Sequence, residues 1–367
     1  MFGIAPQYYI HIYSIIVFFL TLMALRQYAV YPSSRLFEGK ETKSVSLLLL
    51  VVFLSVFIGL RPVSGNFVDM GGYSAFYIAN IGEPFVFDWS TDNILFDNYL
   101  SFLASNSIPQ EFFFLSISFI YFGCMAWACS SLFPKDKMVA FLVYLGAFST
   151  FSYATNGIKA GSAASIFLVA ISMYENRKIL WAVFLALVSI GFHHSMVVPV
   201  VALLICLFVK NSKWYFAFWF FSLLMALFHI TVFQHLFAGF ADEQGAGYLT
   251  GSGEHIRKDV LGGFRIDFII YSAAPIVVGW LGIFKKKIIS REYSFLLNLY
   301  LFTNAIWLLC MYAEFTNRIA YLSWFMLPIV LIYPFLNEEW GETQYQTFRW
   351  VALGHLGFTL FMLYIFY

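Results

Sequence analysis

Thirty-one consecutive residues between Lys178 and Lys210 carry no formal charge. At about 1.5 Å per residue, one helix of that length would reach about 46 Å, well beyond a hydrocarbon core of about 30 Å. Two short helices that turn back at Phe192-His193-His194-Ser195 fit a bilayer better. Each is then only about 20 Å long. The outer end of this hairpin is expected below the membrane surface, where polar backbone survives only against protein or a wet cavity.

The rest of the chain has the same character. It is 61% hydrophobic and 11% charged, against about 25% charged residues in soluble domains. Too few charges exist to cover a globular surface, and the apolar content excludes disorder. The net charge of +1 provides no electrostatic footprint for nucleic acid. Apolar runs fall at about 8–25, 44–60, 112–133, 138–155, 158–174, 179–192, 195–209, 214–236, 267–284, 293–313, 318–336 and 348–366. The fold expected is an all-α polytopic membrane protein of about 12 spans, one integral domain over 1–367. Runs such as Leu47–Leu54 are apolar at every position, unlike barrel strands. The first run lacks a basic leader and a cleavage site, so it reads as a retained helix. Cys124, Cys129, Cys206 and Cys310 sit inside apolar runs and read as buried thiols.

Basic residues favour the cytoplasmic side. With both termini outside, 15 of the 21 fall inside and 6 outside. A single crossing between Lys178 and Lys210 would make it 12 against 9, so the tally favours the hairpin. The two long connections, about 62–110 and 237–266, then both face outward. The first is rich in Asp and Glu, and the second is rich in glycine, a composition that suits a lid or a sugar-contacting loop.

The six outward cations oppose the charge rule, so each calls for a reason. They are Arg61, Lys159, Arg257, Lys258, Arg265 and Arg318. A guanidinium grips phosphate through two parallel charge-assisted bonds, so several cations in one outer cavity would suit a diphosphate. His193-His194 supplies the side chain best suited to act as a base near neutral pH. Adjacent histidines diverge and no Cys pair accompanies them, so no metal site is expected. Glu314 and Arg318, four apart, would share a helix face if the helix reaches that far, as would Asp69 and Tyr73. The other histidines read as packing or interface residues. No Walker loop, Asp-x-Asp motif or Gly-x-Ser-x-Gly elbow is present.

Four segments in order give these residues a family resemblance. They are Gly59-Leu60-Arg61 followed by Asp69 and Tyr73, Asn156-Gly157-Ile158-Lys159-Ala160-Gly161, Phe192-His193-His194-Ser195, and Asn317-Arg318-Ile319-Ala320-Tyr321. Together they resemble the EpsG family of bacterial exopolysaccharide polymerases, within the broader Wzy-type group that includes O-antigen polymerases. The chain departs from the family pattern at Lys159-Ala160, where Arg-Gln is usual; lysine keeps the charge and loses the fork.

The resemblance implies a glycosyltransferase in the bacterial inner membrane with its active site facing outward. A growing glycan on undecaprenyl diphosphate would be transferred to a lipid diphosphate-linked repeat unit. No nucleotide, metal or other cofactor is implied, because the donor is already activated. A flippase and a chain-length regulator are the implied protein partners. His193 is the first choice of base, with Asp69 and Glu314 in reserve. Arg61, Tyr73, Lys159, His194, Arg257, Arg265, Arg318 and Tyr321 are the expected substrate contacts. Three other functions compete with this one. A glycan ligase shares this chemistry. A transporter would need charges at mid-span or broken helices in paired halves. An O-acyltransferase would need His193 within reach of a cytosolic donor.

Overall fold

The computed structural model describes residues 3–30, 44–238 and 263–366, together with Gly247 and Leu249. Its regular elements are helices, with no strand among the described residues. Two compact units are formed.

The first unit comprises Met1–His193 and Gly341–Tyr367. It contains α1 (Tyr8–Val30), α2 (Ser44–Gly59), α3 (Val68–Ala79), α4 (Ile94–Ser105), α5 (Gln110–Leu132), α6 (Lys137–Leu145), α7 (Thr150–Thr155), α8 (Ile158–Glu175), α9 (Ile179–Phe192) and α17 (Gln344–Phe361). At its centre α8 packs against α5 and α9. Small residues make that possible: Ala163, Ala164 and Ala170 are buried, and a helix apolar all round belongs inside. Its serines return their hydroxyls to the helix, Ser162 to the Ile158 carbonyl at 2.7 Å and Ser172 to Val169 at 2.8 Å. They bury no unmet donor.

The crossing of α2 and α5 depends on Gly59. A Cβ there would lie 2.7 Å from the Leu115 Cα, a backbone atom that cannot move aside. Gly59→Ala is therefore expected to destabilise the protein by about 1–3 kcal/mol. A lowered midpoint of thermal unfolding in detergent would show it; an unchanged midpoint would refute it.

The second unit comprises His194–Trp340. It contains a 3₁₀ turn (His194–Met196), α10 (Val197–Phe208), α11 (Ser212–Leu227), α12 (Val232–Ala238), α13 (Ile266–Trp280), α14 (Arg291–Leu309), α15 (Thr316–Trp324) and α16 (Leu327–Leu336). Here α14 is the centre, packed on α10, α11 and α15. Asn304 stitches three helices, accepting from Trp219 Nε1 on α11 at 2.8 Å and donating to Ser323 Oγ on α15 at 3.0 Å. This apolar-region asparagine is a packing bond.

Helices occupy all twelve apolar runs. Among the described residues, six helices are long and apolar enough to cross a bilayer by length and composition: Tyr8–Tyr28, Gln110–Leu132, Ile158–Glu175, Ile266–Lys285, Thr316–Leu336 and Gln344–Phe366. Four shorter apolar helices lie at Val45–Gly59, Ile179–Phe192, His194–Phe208 and Ser212–Leu227. The chain is a multi-pass membrane protein.

Several expectations need correction. The run 138–155 is two helices, α6 and α7, interrupted at Gly146–Ser149. The run 214–236 also breaks. His229 adopts φ 57°, and the Ile230 N–H returns to the Met225 carbonyl at 2.9 Å, which closes α11. The connection 62–110, whose fold the sequence left open, contains the helices α3 and α4. Cys129, Cys206 and Cys310 are buried, as the apolar runs implied, whereas Cys124 is only half-buried.

Candidate functional site

The chargeless stretch is broken into two helices at the position expected. α9 ends at Phe192, and His193 is extended at φ −153°, ψ 117°, with its backbone N–H on the Ser189 carbonyl at 3.0 Å. Ser189 Oγ donates to the Ala163 carbonyl at 2.8 Å, which fixes the register of α9 on α8. In this antiparallel pair the His193 end of α9 lies beside the Lys159 end of α8.

The first turn of α4 completes that corner. The Lys159 ammonium meets Asp97 Oδ1 at 2.8 Å and lies over the rings of Phe96 (5.2 Å) and Tyr73 (5.9 Å). Tyr73 in turn packs on Phe96, with ring centroids 5.6 Å apart. Asp97 also accepts from the Thr91 hydroxyl. The His193 Nδ1 is 3.0 Å from the Asn93 side-chain oxygen. A cavity of about 300 Å³ opens beside the corner, lined by Tyr73, Phe76, Asp88, Asp97, Asn98 and Lys159 among others. The Ser90 hydroxyl and N–H hold the Asp88 carboxyl below its ordinary pKa.

Arg61 occupies a second position in the same unit. It is 4% exposed, with Nη1 donating to the Ile58 carbonyl at 2.8 Å and Nη2 to Thr155 at 2.6 Å. Phe67 and Phe114 flank the guanidinium at 5.2 and 5.7 Å. Burial pulls its pKa down to about 9, which still leaves it protonated at neutral pH. Its Nε is buried without a hydrogen-bond partner among the described residues. A cavity of about 440 Å³ lies alongside, lined by Arg61, Met70, Gln110, Glu111 and Phe114 among others. Asp69 and Tyr73 both fall within α3, one turn apart.

Within the second unit the expectations fare unevenly. The expected helix face shared by Glu314 and Arg318 does not form. Phe315 takes a left-handed φ of 49°, the helix starts only at Thr316, and Glu314 is buried in the preceding turn. Arg318 is exposed on α15, its guanidinium 4.9 Å from the Phe315 ring. Tyr321 is buried on α15. Arg265 already spends its fork on Asp267, with bonds of 2.9 and 2.6 Å, and lies 3.7 Å over Phe268. His194 and Ser195 border an apolar cavity of about 420 Å³, lined by Val198, Phe302, Ile306 and Leu322 among others. Arg257 and Lys258 lie outside the described residues. No group of three or more His, Cys, Asp or Glu is placed to hold a metal among the described residues.

Sequence reading missed Asn93 and Asp97 as partners. Asp97 was visible only as one of several loop acids, and nothing local ties either residue to a cation or imidazole 62 or 100 positions away.

No curated protein matches the chain, and no solved structure does. The sequence pattern of the EpsG family matches residues 44–366, which include every element of the first-unit corner. With that span and the helical fold together, the chain belongs to the EpsG family, a family of Wzy-like polysaccharide polymerases.

Proposed function

We propose that this protein elongates a glycan at the extracytoplasmic face of the bacterial inner membrane, through about twelve crossings with both termini outside. The donor is a growing chain on undecaprenyl diphosphate. The acceptor is a repeat unit on a second lipid diphosphate. An acceptor hydroxyl oxygen bonds to the donor's anomeric carbon, and the anomeric C–O bond to the diphosphate breaks. Polyprenyl diphosphate leaves with the electron pair, and the hydroxyl proton passes to His193. No metal or nucleotide enters this scheme, since the leaving group is activated already. A flippase that delivers repeat units and a chain-length regulator fit as partners.

The observation that carries this reading is the corner at His193, in a chain whose family is one of polysaccharide polymerases. There an imidazole is held by a neutral amide, and a lysine sits on the neighbouring helix end. Asp69 and Glu314 are the reserve bases. Arg61 through its Nε, Lys159 on release from Asp97, Arg265, Arg318 and Arg257 are assigned to phosphate. Developing charge on a diphosphate is stabilised by such donors. Tyr73, Tyr321 and His194 are assigned to the glycan or to the lipid near it. The apolar cavity beside His194 supports a lipid-borne substrate, because its lining offers an alkyl or isoprenoid chain little but hydrocarbon.

The test is purified protein in liposomes with lipid diphosphate-linked repeat units from the producing cells, without nucleotide. A product ladder spaced by one repeat, with released polyprenyl diphosphate, is expected. Persistence of single repeats, where an authentic polymerase elongates the same material, would refute the reading.

A further inference from the structure

We propose that Asn93 is a positioning residue for His193: it fixes which imidazole nitrogen carries the proton and so leaves Nε2 as the basic one. This rests on His193 acting as the base, the reading given above.

An amide oxygen only accepts, so Nδ1, 3.0 Å from the Asn93 side-chain oxygen, must be the donor. The neutral ring then keeps its lone pair on Nε2, since the bond made by one nitrogen decides the state of the other. A neutral amide does this without stabilising the imidazolium as a carboxylate would.

The surroundings hold Asn93 for the task. Asn93 stands at the start of α4, the element that docks on the end of α9. A Cβ on Gly191 would lie 2.6 Å from Leu95 Cγ, so a side chain there would push the first turn of α4 away. Phe96 meets Phe192 edge-on at 6.2 Å. The entry to α4 is tied down by Asn98, whose Nδ2 donates to the Asp88 carbonyl at 2.8 Å and to the Ile94 carbonyl at 2.7 Å. Its Oδ1 accepts from the Asp88 N–H at 2.7 Å. Asn93 and Asp97, four apart, project from one face of that turn. One takes His193 from α9, and the other takes Lys159 from α8.

Among the described residues, the charged groups on the elements packed against this end of α9 are Asp88, Asp92 and Asp97 at and just before the start of α4 and Lys159 at the start of α8. Asp97 and Lys159 neutralise one another, and His194 follows next along the chain. Replacing the amide by a carboxylate therefore adds one new negative charge at the imidazole.

The experiment uses the full-length protein. In Asn93→Asp the imidazolium gains a partner, so the acid limb of the pH–rate profile for elongation is expected to move upward by about one pH unit or more. In ¹⁵N-histidine spectra, with His193→Ala identifying the signal, the wild-type ring is expected as the Nδ1–H tautomer. Asn93→Ala is expected to lose that preference, and Asn93→Gln to recover part of it. An acid limb unmoved in Asn93→Asp, or a tautomer indifferent to Asn93→Ala, overturns the proposal. Wild-type elongation in His193→Ala overturns the base assignment instead, and the two failures are read from different variants.

Discussion

Replacing His193 with alanine is expected to slow elongation by roughly 10²- to 10⁴-fold, the usual contribution of a positioned general base. The fold should survive. His193 is half-buried, and its N–H bond to the Ser189 carbonyl belongs to the backbone and is kept by alanine. The measurement pairs elongation rates in liposomes with thermal unfolding in detergent. A loss of rate at an unchanged midpoint supports a chemical role. A rate within a few-fold of wild type would move the base to Asp69 or Glu314.

Arg61→Ala should fail differently, losing stability as well as polymer. On spacing and charge alone, Arg61 reads as a phosphate ligand whose removal would spare the fold. Its geometry shows a staple: the guanidinium bridges the end of α2 to the end of α7 through the Ile58 and Thr155 carbonyls, between two phenylalanine rings. Alanine would strand the Thr155 acceptor in a buried place and open space between Phe67 and Phe114. The expected cost is about 2–4 kcal/mol. Arg61→Lys should recover part of it, because one ammonium cannot copy a planar fork. An unchanged unfolding midpoint in Arg61→Ala would refute the staple and return the residue to a purely substrate-facing role.

Much of the fold was legible because a bilayer imposes length and polarity on every crossing. The apolar runs mark the helices, and the missing charges between Lys178 and Lys210 locate the helix break at His193, which the structure shows at the end of α9. Breaks inside runs were not legible. Nothing about Phe315 or His229 announces a left-handed backbone, and neither is a glycine. The helices α3 and α4 were hidden because 12-residue segments in a mixed polar and aromatic stretch carry a weak periodic signal. In the candidate site the residue types were legible but their partners were not. By sequence Lys159 is a spare cation, whereas in the fold it is paired with Asp97. Arg265 looked spare too, although its acid lies only two positions along. Partner choice across a long sequence separation depends on how helices dock, which composition does not record.

The placement of the four thiols bears on how orientation can be read out. Three are sealed in the interior and the fourth is half covered. Maleimides and similar reagents attack an accessible thiolate, so the native chain should give them little to modify. A cysteine introduced at Val86, in the acidic connection, or at Ile289, beside the Lys285–Lys287 cluster, would stand out against that quiet background; both positions are exposed. Impermeant and permeant reagents would then assign a side of the membrane to each of these two connections without first stripping the wild-type sulfhydryls.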